Sequence, residues 1–280
     1  MKISIITINY QNLEGLKKTV QSVINQTYSN IEYIVIDGNS EDGTKEFLES
    51  QDSNIDYWIS EPDKGIYNAM NKGILKAKGD YLLFLNSGDT LYNNQVISDI
   101  TPSLTSDEDF IVGNLFLDAQ PEGKIKSHPK KMTMSFLFRS TIAHPSSFIK
   151  REIFAMYGVY DEQLKIVSDW KLFFVALALN GASYKSIDTI ISTFDMNGIS
   201  SQKEQADNIK QEKNSVFNEY LKPAMTNEMD TYILNHFAQR SKRFNALYSI
   251  DKSPFIRKIT TLVLRFLAFL STLGTNSNSK

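Results

Sequence analysis

Cysteine is missing from all 280 residues. That excludes disulfides, thiolate zinc sites and cysteine nucleophiles, and it fits a reducing compartment. No uninterrupted apolar stretch reaches the roughly 20 residues needed to span a bilayer. The run Ile3 to Ile8 begins almost at Met1, but it is too short for a secretory signal and lacks a small-residue cleavage site, so no signal peptide is expected. Internal repeats and low-complexity tracts are absent as well. What remains is ordinary globular composition, 41% hydrophobic and 22% charged, in a length that suits one large α/β domain with additions. A cytoplasmic protein is the expectation.

The formal charge is only −2, but it is unevenly spread. From Ala238 onward eight basic residues stand against one acid, Asp251, so the preceding body is acidic. An acidic body with a basic tail argues against a nucleic-acid partner and points to an anionic surface touching the tail alone.

Apolar patterning gives the organisation. Ile3 to Ile8, Ile31 to Ile36 and Tyr81 to Leu85 read as buried strands, and Tyr57 to Ile59 as a short one. Leu13, Leu16, Val20, Val23 and Ile24 recur at helical spacing; a second helix opens at Asp42-Gly43-Thr44, and a third runs from Ile66 to Lys76 with Gly79 closing it. Strands alternating with helices predict βαβ units and a mainly parallel sheet, whose ligands sit beyond the carboxyl ends of the strands. The second half is more broken. Phe110 to Leu117 and Ser146 to Ile149 read as strands, Asp169 to Leu179 as one apolar helix, Tyr184 to Phe194 as two short strands, and 202–220 and 226–248 as helices.

Polar residues cluster at the strand ends. Asn86-Ser87-Gly88-Asp89 ends the third strong strand; Asp89 there either holds a hard cation against a pyrophosphate or caps a turn. Asp37, before Gly38-Asn39-Ser40, either accepts hydrogen bonds from a base or ribose or serves turn chemistry. Asp63-Lys64-Gly65 leads into a helix N-terminus, where anions are favoured, and Lys64 either pairs with phosphate or is solvated. Asp169, at a later helix start, fits either a general base or an acid favoured by the helix dipole. His144 either lines the site or is structural.

In this order and spacing the segments resemble the inverting family 2 glycosyltransferases. Ile5 to Asn12 is similar to that family's first strand and nucleotide loop, and Gln26 to Glu32 to its hallmark before the second strand. The Ala69-Met70-Asn71-Lys72-Gly73 helix and the Gly79-Asp80-Tyr81 strand also match. Asp63 to Tyr67 and Asn86 to Asp89 resemble the branch used in bacterial polysaccharide and lipopolysaccharide assembly. The resemblance implies a GT-A fold over 1–205, with a nucleotide-sugar half (1–106) and an acceptor half (107–205), followed by a helical extension (206–280). It implies a nucleotide-sugar donor, a UDP-sugar foremost, held by Thr7, Asn9, Tyr10, Asp37, Asp63, Lys64, Asn68, Asn71 and Ser87. It further implies Mn²⁺ or Mg²⁺ on Asp89, Asp169 as base, His144 and Trp170 on the acceptor side, and Asn197 to Ser200 in a loop over the diphosphate. The acceptor implied is a glycan or a lipid-linked glycan. Three departures stand out. A single acid ends the second strand, and the Asp-x-Asp-Asp metal motif is thinned to its last acid, while Ser168 replaces the first of an acidic pair.

The thinned acids keep a non-catalytic nucleotide-sugar-binding protein as the alternative. A sugar nucleotidyltransferase would carry a Gly-rich, basic loop after the first strand, and Thr7 to Asn12 has neither. The segment 254–273 is apolar but interrupted by Arg257, Lys258 and Arg265. It reads as a basic helix in the membrane interface, with a homodimer interface or packing on the body as the competing readings.

Overall fold

The computed structural model describes residues 1–104, 107–118, 122–196, 203–221, 250 and 253–275. The expectations for 226–248 and for the loop Asn197 to Ser200 lie outside the described residues. Two compact units divide the chain, Met1–Asn214 and Ser215–Lys280.

In the first unit, strand β1 (Ile3–Asn9) is buried along its whole length. Such a strand needs cover on both faces, the situation of a central parallel strand. It pairs in parallel with β2 (Ile31–Asp37) and with β4 (Tyr81–Phe84), and β2 pairs in parallel with β3 (Tyr57–Ser60). One face carries Ile3 and Ile5, which share a core with Leu16 and Val20 of α1 (Leu13–Ile24), Leu48 of α2 (Thr44–Ser50) and Val96 and Ile97 of α4 (Val96–Ile100). Against the other face lies α3 (Ile66–Lys76). It comes so near that a Cβ on Gly73 would stand 2.4 Å from Cγ2 of Ile6. That methyl belongs to a β-branched, fully buried side chain and has nowhere to go. Gly79 does not close α3, which ends at Lys76 with Ala77 already extended. Its lack of a side chain instead lets the backbone pass Ser4, whose nitrogen a Cβ would meet at 2.5 Å.

Beyond β4 the sheet becomes mixed. The strand order is β3-β2-β1-β4-β8-β6-β9-β5, with β7 on the outer end of β6. Here β5 is Thr90–Leu91, β6 Phe110–Leu117, β7 Lys124–Lys126, β8 Ser147–Lys150 and β9 Tyr184–Phe194. The β4–β8, β6–β8, β6–β7 and β5–β9 pairs are antiparallel, whereas β6–β9 is parallel. The architecture is thus a curled, mostly parallel α/β sheet, as expected. Tyr184–Phe194, expected as two strands, is one. It carries extra residues against β6 between Ser186 and Ser192, and this irregularity interrupts the alternation. The helix expected over Asp169 to Leu179 is α7 (Ser168–Phe173) followed by a wider π-turn, Phe174–Leu179.

Three further helices are α5 (Met134–Arg139), α6 (Arg151–Tyr157) and α8 (Ala206–Tyr220), the last within the stretch expected over 202–220. The division between units falls inside α8. In the second unit, α9 (Pro254–Thr275) exposes Phe255, Ile259 and Leu262 beside Arg257, Lys258 and Arg265. Among the described residues no helix is long and apolar enough to cross a membrane.

His128 pins the second half of the sheet. Its Nε2 accepts from the Ala143 N–H at 3.1 Å, so the ring proton sits on Nδ1, which donates to the Gly113 carbonyl at 2.9 Å. Burial, helped by the Lys126 charge and opposed by the Gly113 carbonyl, pushes its pKa down to about 4. The unfolded chain takes up this proton near pH 6.5, while the folded chain refuses it. Stability from this site is therefore complete above pH 6.5 and is lost as pH falls toward 4. Between pH 7 and pH 5 the wild type should lose about 2 kcal/mol more than His128→Gln in chemical denaturation. Equal losses would contradict this account.

Candidate active site

A cleft of about 570 Å³ opens at the carboxyl ends of β1 and β4. The chain beyond β4 keeps pairing with β1, through Leu85 N–H to the Ile6 carbonyl (2.9 Å) and Ser87 N–H to the Ile8 carbonyl (3.0 Å). Asn86 and Asp89 are thus fixed by the core strands. Gly88 turns the chain at φ +107°, and a Cβ there would lie 2.7 Å from Oδ2 of Asp195, so only glycine fits. Asp89 is 2% exposed. Its Oδ1 accepts from the Asp195 N–H at 2.9 Å. Its Oδ2 is buried without a partner, as is Oδ1 of Asn86. Burial pushes the Asp89 carboxyl up to about 7, against the Asp195 hydrogen bond and the nearby His144. Orphaned oxygens of this kind beside a second carboxylate suit a divalent cation. Among the described residues no three His, Asp or Glu side chains form a closed cage, so an ion here would share its ligands with a substrate phosphate.

The opposite wall carries Asp169. The Trp170 N–H (2.8 Å) and the Tyr67 hydroxyl (3.2 Å) donate to its Oδ1, and His144 Nδ1 lies 3.3 Å from its Oδ2. The amide nitrogen of Asn86 is 3.3 Å from Nε2 of His144. If that amide donates, Nε2 accepts and the imidazole proton sits on Nδ1, directed at Asp169. A continuous line therefore runs from Asn86 through His144 to Asp169. Burial first, then the Asp169 charge, pushes the Tyr67 phenol well above its ordinary value, so Tyr67 remains a donor. The loop before Asp169 is held from α8, where the Glu212 carboxylate accepts from the N–H groups of Lys165 (2.8 Å), Ile166 (3.0 Å) and Val167 (3.1 Å).

Of the residues singled out from sequence, Ser87, Asp89, His144, Asp169 and Trp170 line this cleft. Trp170 is 1% exposed; Phe174 stacks at 5.3 Å and Lys213 Nζ sits 4.6 Å over the ring. It is a wall, not a surface on which a sugar can stack. Four of the expected nucleotide contacts make hydrogen bonds within the protein. The Thr7 hydroxyl is buried against the Tyr33 hydroxyl at 3.1 Å. Asp37 is fully buried, and its carboxylate accepts from Asn9, Ser40 and Ser60. The Asn9 amide nitrogen is directed at Asp37, Ser40 and Thr44. Asn71 bonds the Tyr160 backbone on both sides and also Glu162. These bonds hold the strand-end loops in shape, and of the four side chains only Asn9 keeps a buried atom, Oδ1, without a partner. Asn68 likewise donates to Glu162 at 3.0 Å and accepts from the Lys64 N–H at 3.2 Å, which leaves the Lys64 side chain exposed.

Tyr10 and Asp63 form a second shelf beside the β2 end. A Cβ on Gly38 would come within 3.0 Å of the Tyr10 ring and 2.7 Å of an Asp63 oxygen, and Tyr10 is 67% exposed. Sequence reasoning missed Tyr67, Lys126, Asp195 and Lys213 as cleft residues. Lys126, Asp195 and Lys213 arrive from segments with no local motif, whereas Tyr67, at the end of the Asp63 to Tyr67 segment, and Asn86, in the Asn86 to Asp89 turn, each had a signal.

The profile of glycosyl transferase family 2 matches residues 4–160. An uncharacterised glycosyltransferase of Mycobacterium tuberculosis is 33% identical over 213 residues, which are 72% of this chain and 78% of that protein. A glycosyltransferase of PGL/p-HBAD biosynthesis from Mycobacterium bovis is 26% identical over 165 residues, 55% of this chain and 61% of its own. Among solved structures, the 1–349 fragment of S. aureus TarS with UDP-GlcNAc superposes with a TM-score of 0.61 at 17% identity, over 72% of this chain and 61% of the fragment. A mannosyltransferase of Pyrobaculum calidifontis with GDP-Man and Mn²⁺ gives 0.57 at 13% identity, over 93% of this chain and 83% of its own. These likenesses agree with the GT-A architecture described above. The strand-end loops that shape the cleft fall largely inside the matched stretch, and the chain belongs to glycosyl transferase family 2.

Proposed function

We propose that the chain is an inverting hexosyltransferase. It moves a sugar from a UDP-sugar to a hydroxyl of a glycan or lipid-linked acceptor in bacterial cell-surface polysaccharide assembly, the lipopolysaccharide branch included. One observation carries the reading: a single cleft holds two carboxylates in different surroundings. Asp89 is buried with an orphaned oxygen, and Asp169 is oriented by three donors.

Asp169 is the base. Tyr67, the Trp170 N–H and His144 fix its rotamer, so a free lone pair faces the cleft. It takes the acceptor's proton as the acceptor oxygen bonds to the anomeric carbon. The bond from that carbon to the diphosphate oxygen breaks, its electron pair leaves with the diphosphate, and a donor α-linkage becomes a β-linkage. Asp89, with Asp195 beside it, is the seat for Mn²⁺ or Mg²⁺. When bound, that ion neutralises the charge developing on the departing diphosphate. The mannosyltransferase with GDP-Man and Mn²⁺ and TarS with UDP-GlcNAc support this choice of ligand class. Tyr10 and Asp63 receive the base and ribose in place of the buried Asp37, and Lys64 lies free near α3 for phosphate.

The α9 helix supplies the route to a lipid-borne acceptor. Its exposed Phe255, Ile259 and Leu262, interleaved with Arg257, Lys258 and Arg265, suit an interfacial position on an anionic leaflet.

Nucleoside diphosphate release from UDP-, GDP- and dTDP-sugars, with Mn²⁺, Mg²⁺ or EDTA, tests the chemistry. One donor should be turned over only with metal. Asp169→Asn should lower kcat about 10²–10⁴-fold with donor affinity little changed, and Asp89→Asn should abolish turnover and metal-dependent donor binding together. Donors that bind to wild type without turnover, even with lipid-linked acceptor extracts, would instead make it a nucleotide-sugar-binding protein. For the helix, the full chain should float with anionic liposomes and a chain truncated after Asp251 should not. Equal flotation would overturn the membrane role, and loss of a dimer on truncation would mark α9 as an interface between copies.

A further inference from the structure

The acceptor wall of the cleft holds four cations, none of them in an ion pair among the described residues: Lys126 on β7, Arg139 at the end of α5, Lys165 before α7 and Lys213 on α8. Arg139 and Lys165 are exposed and by themselves ordinary. The other two are not. Lys126 is half-buried and makes no hydrogen bond among the described residues. Lys213 is half-buried too, donating to the Ser140 carbonyl at 3.2 Å while capping the Trp170 ring. Burial lowers the pKa of both ammonium groups, and the Asp169 charge counters it in both. Both therefore feel Asp169, yet neither comes within ion-pair distance of it. Two desolvated cations left without a counter-charge are costly unless a ligand supplies one.

We propose that the acceptor carries a phosphate group beside the hydroxyl it offers to Asp169, and that Lys126 and Lys213 hold that phosphate, with Arg139 and Lys165 drawing it in. This rests on the transferase reading for the identity of the hydroxyl, but the anion site stands on its own geometry. The donor diphosphate does not account for the cluster. Its expected seat is at Ser87 and Asp89, on the ends of β1 and β4, whereas these cations come from β7, α5, α8 and the loop before α7. The position is also built with care, since Glu212, the neighbour of Lys213, holds three backbone N–H groups of the loop leading to Asp169. The phosphate seat and the base are thus set by the same turn of α8. An anion bound there aligns the neighbouring hydroxyl with the base, the positioning effect that raises effective concentration.

Calorimetric titration of phenyl phosphate into the full chain, with and without saturating UDP and Mn²⁺, tests this without turnover. Binding should persist with UDP present. Lys126→Gln and Lys213→Gln should each weaken it at least tenfold and change UDP affinity less than twofold, and Lys126→Arg and Lys213→Arg should restore most of it. Geranyl diphosphate is the second probe; tighter binding than phenyl phosphate assigns the phosphate to a lipid carrier, and weaker binding to the glycan itself. The proposal fails if UDP displaces phenyl phosphate, if the glutamine variants lose UDP in equal measure, or if no binding is seen at millimolar concentration. Failure of the transferase reading looks different, since the wild type would turn over no donor while the phosphate titration is unchanged.

Discussion

The hydrogen-bonded line from Asn86 through His144 to Asp169 joins the two halves of the first unit. Asn86 is placed by β1 and β4, whose register continues past the strand ends through Leu85 and Ser87. His144 is placed by the second half, where His128 takes the neighbouring Ala143 N–H and is itself tied to β6. Asp169 is placed by the loop that Glu212 clamps. Small errors in the packing of one half against the other would break a chain built from contacts of 3.3 Å. The tight closure of the core, down to a glycine at the α3–β1 contact, follows from that need.

Around this line the site departs from the rules that the rest of the structure obeys. Elsewhere in the described residues most buried polar groups find partners: Asp37 with Asn9, Ser40 and Ser60, Asn71 with the Tyr160 backbone, His128 with two backbone groups, the Asn9 Oδ1 and the Tyr160 hydroxyl being exceptions. In the cleft, Asp89 and Asn86 keep orphaned oxygens, and Lys126 has no counter-ion among the described residues. These omissions cost stability and are the observations on which the proposed cation and anion sites rest. Their arrangement is ordered in space. The unsatisfied acceptors lie on the β4 side and the cations without an ion pair among the described residues on the β7 and α8 side, with Asp169 between them.

The fold was legible because buried parallel strands are continuous apolar runs, and Ile3 to Ile8, Ile31 to Ile36 and Tyr81 to Leu85 could hardly be anything else. Bulged β9 was misread as two strands because its extra residues break the alternation that marks a strand. At the site, Asp89, His144 and Asp169 were legible through their motifs. Thr7, Asn9, Asp37 and Asn71 were ambiguous for a physical reason: polar residues at strand ends and helix starts serve equally to contact ligands and to fix loops, and the bonds these four make within the protein could not be read from sequence. Lys126, Asp195 and Lys213 were invisible, since each reaches the cleft from a segment whose local pattern speaks only of an edge strand, a strand end or a surface helix. Tertiary structure alone makes them neighbours.

The central claim is that one cleft seats the donor's diphosphate at Asp89 and the acceptor at Asp169. A crystal structure with Mn²⁺, the turned-over donor's nucleoside diphosphate and data at the manganese absorption edge tests it most directly. The account predicts one anomalous peak bonded to Asp89 Oδ2 and to the diphosphate, with the nucleoside on the Tyr10 and Asp63 shelf and the Asp169 carboxylate open to the cleft. A diphosphate seated on Lys126 and Lys213, or manganese bound away from Asp89, would contradict it.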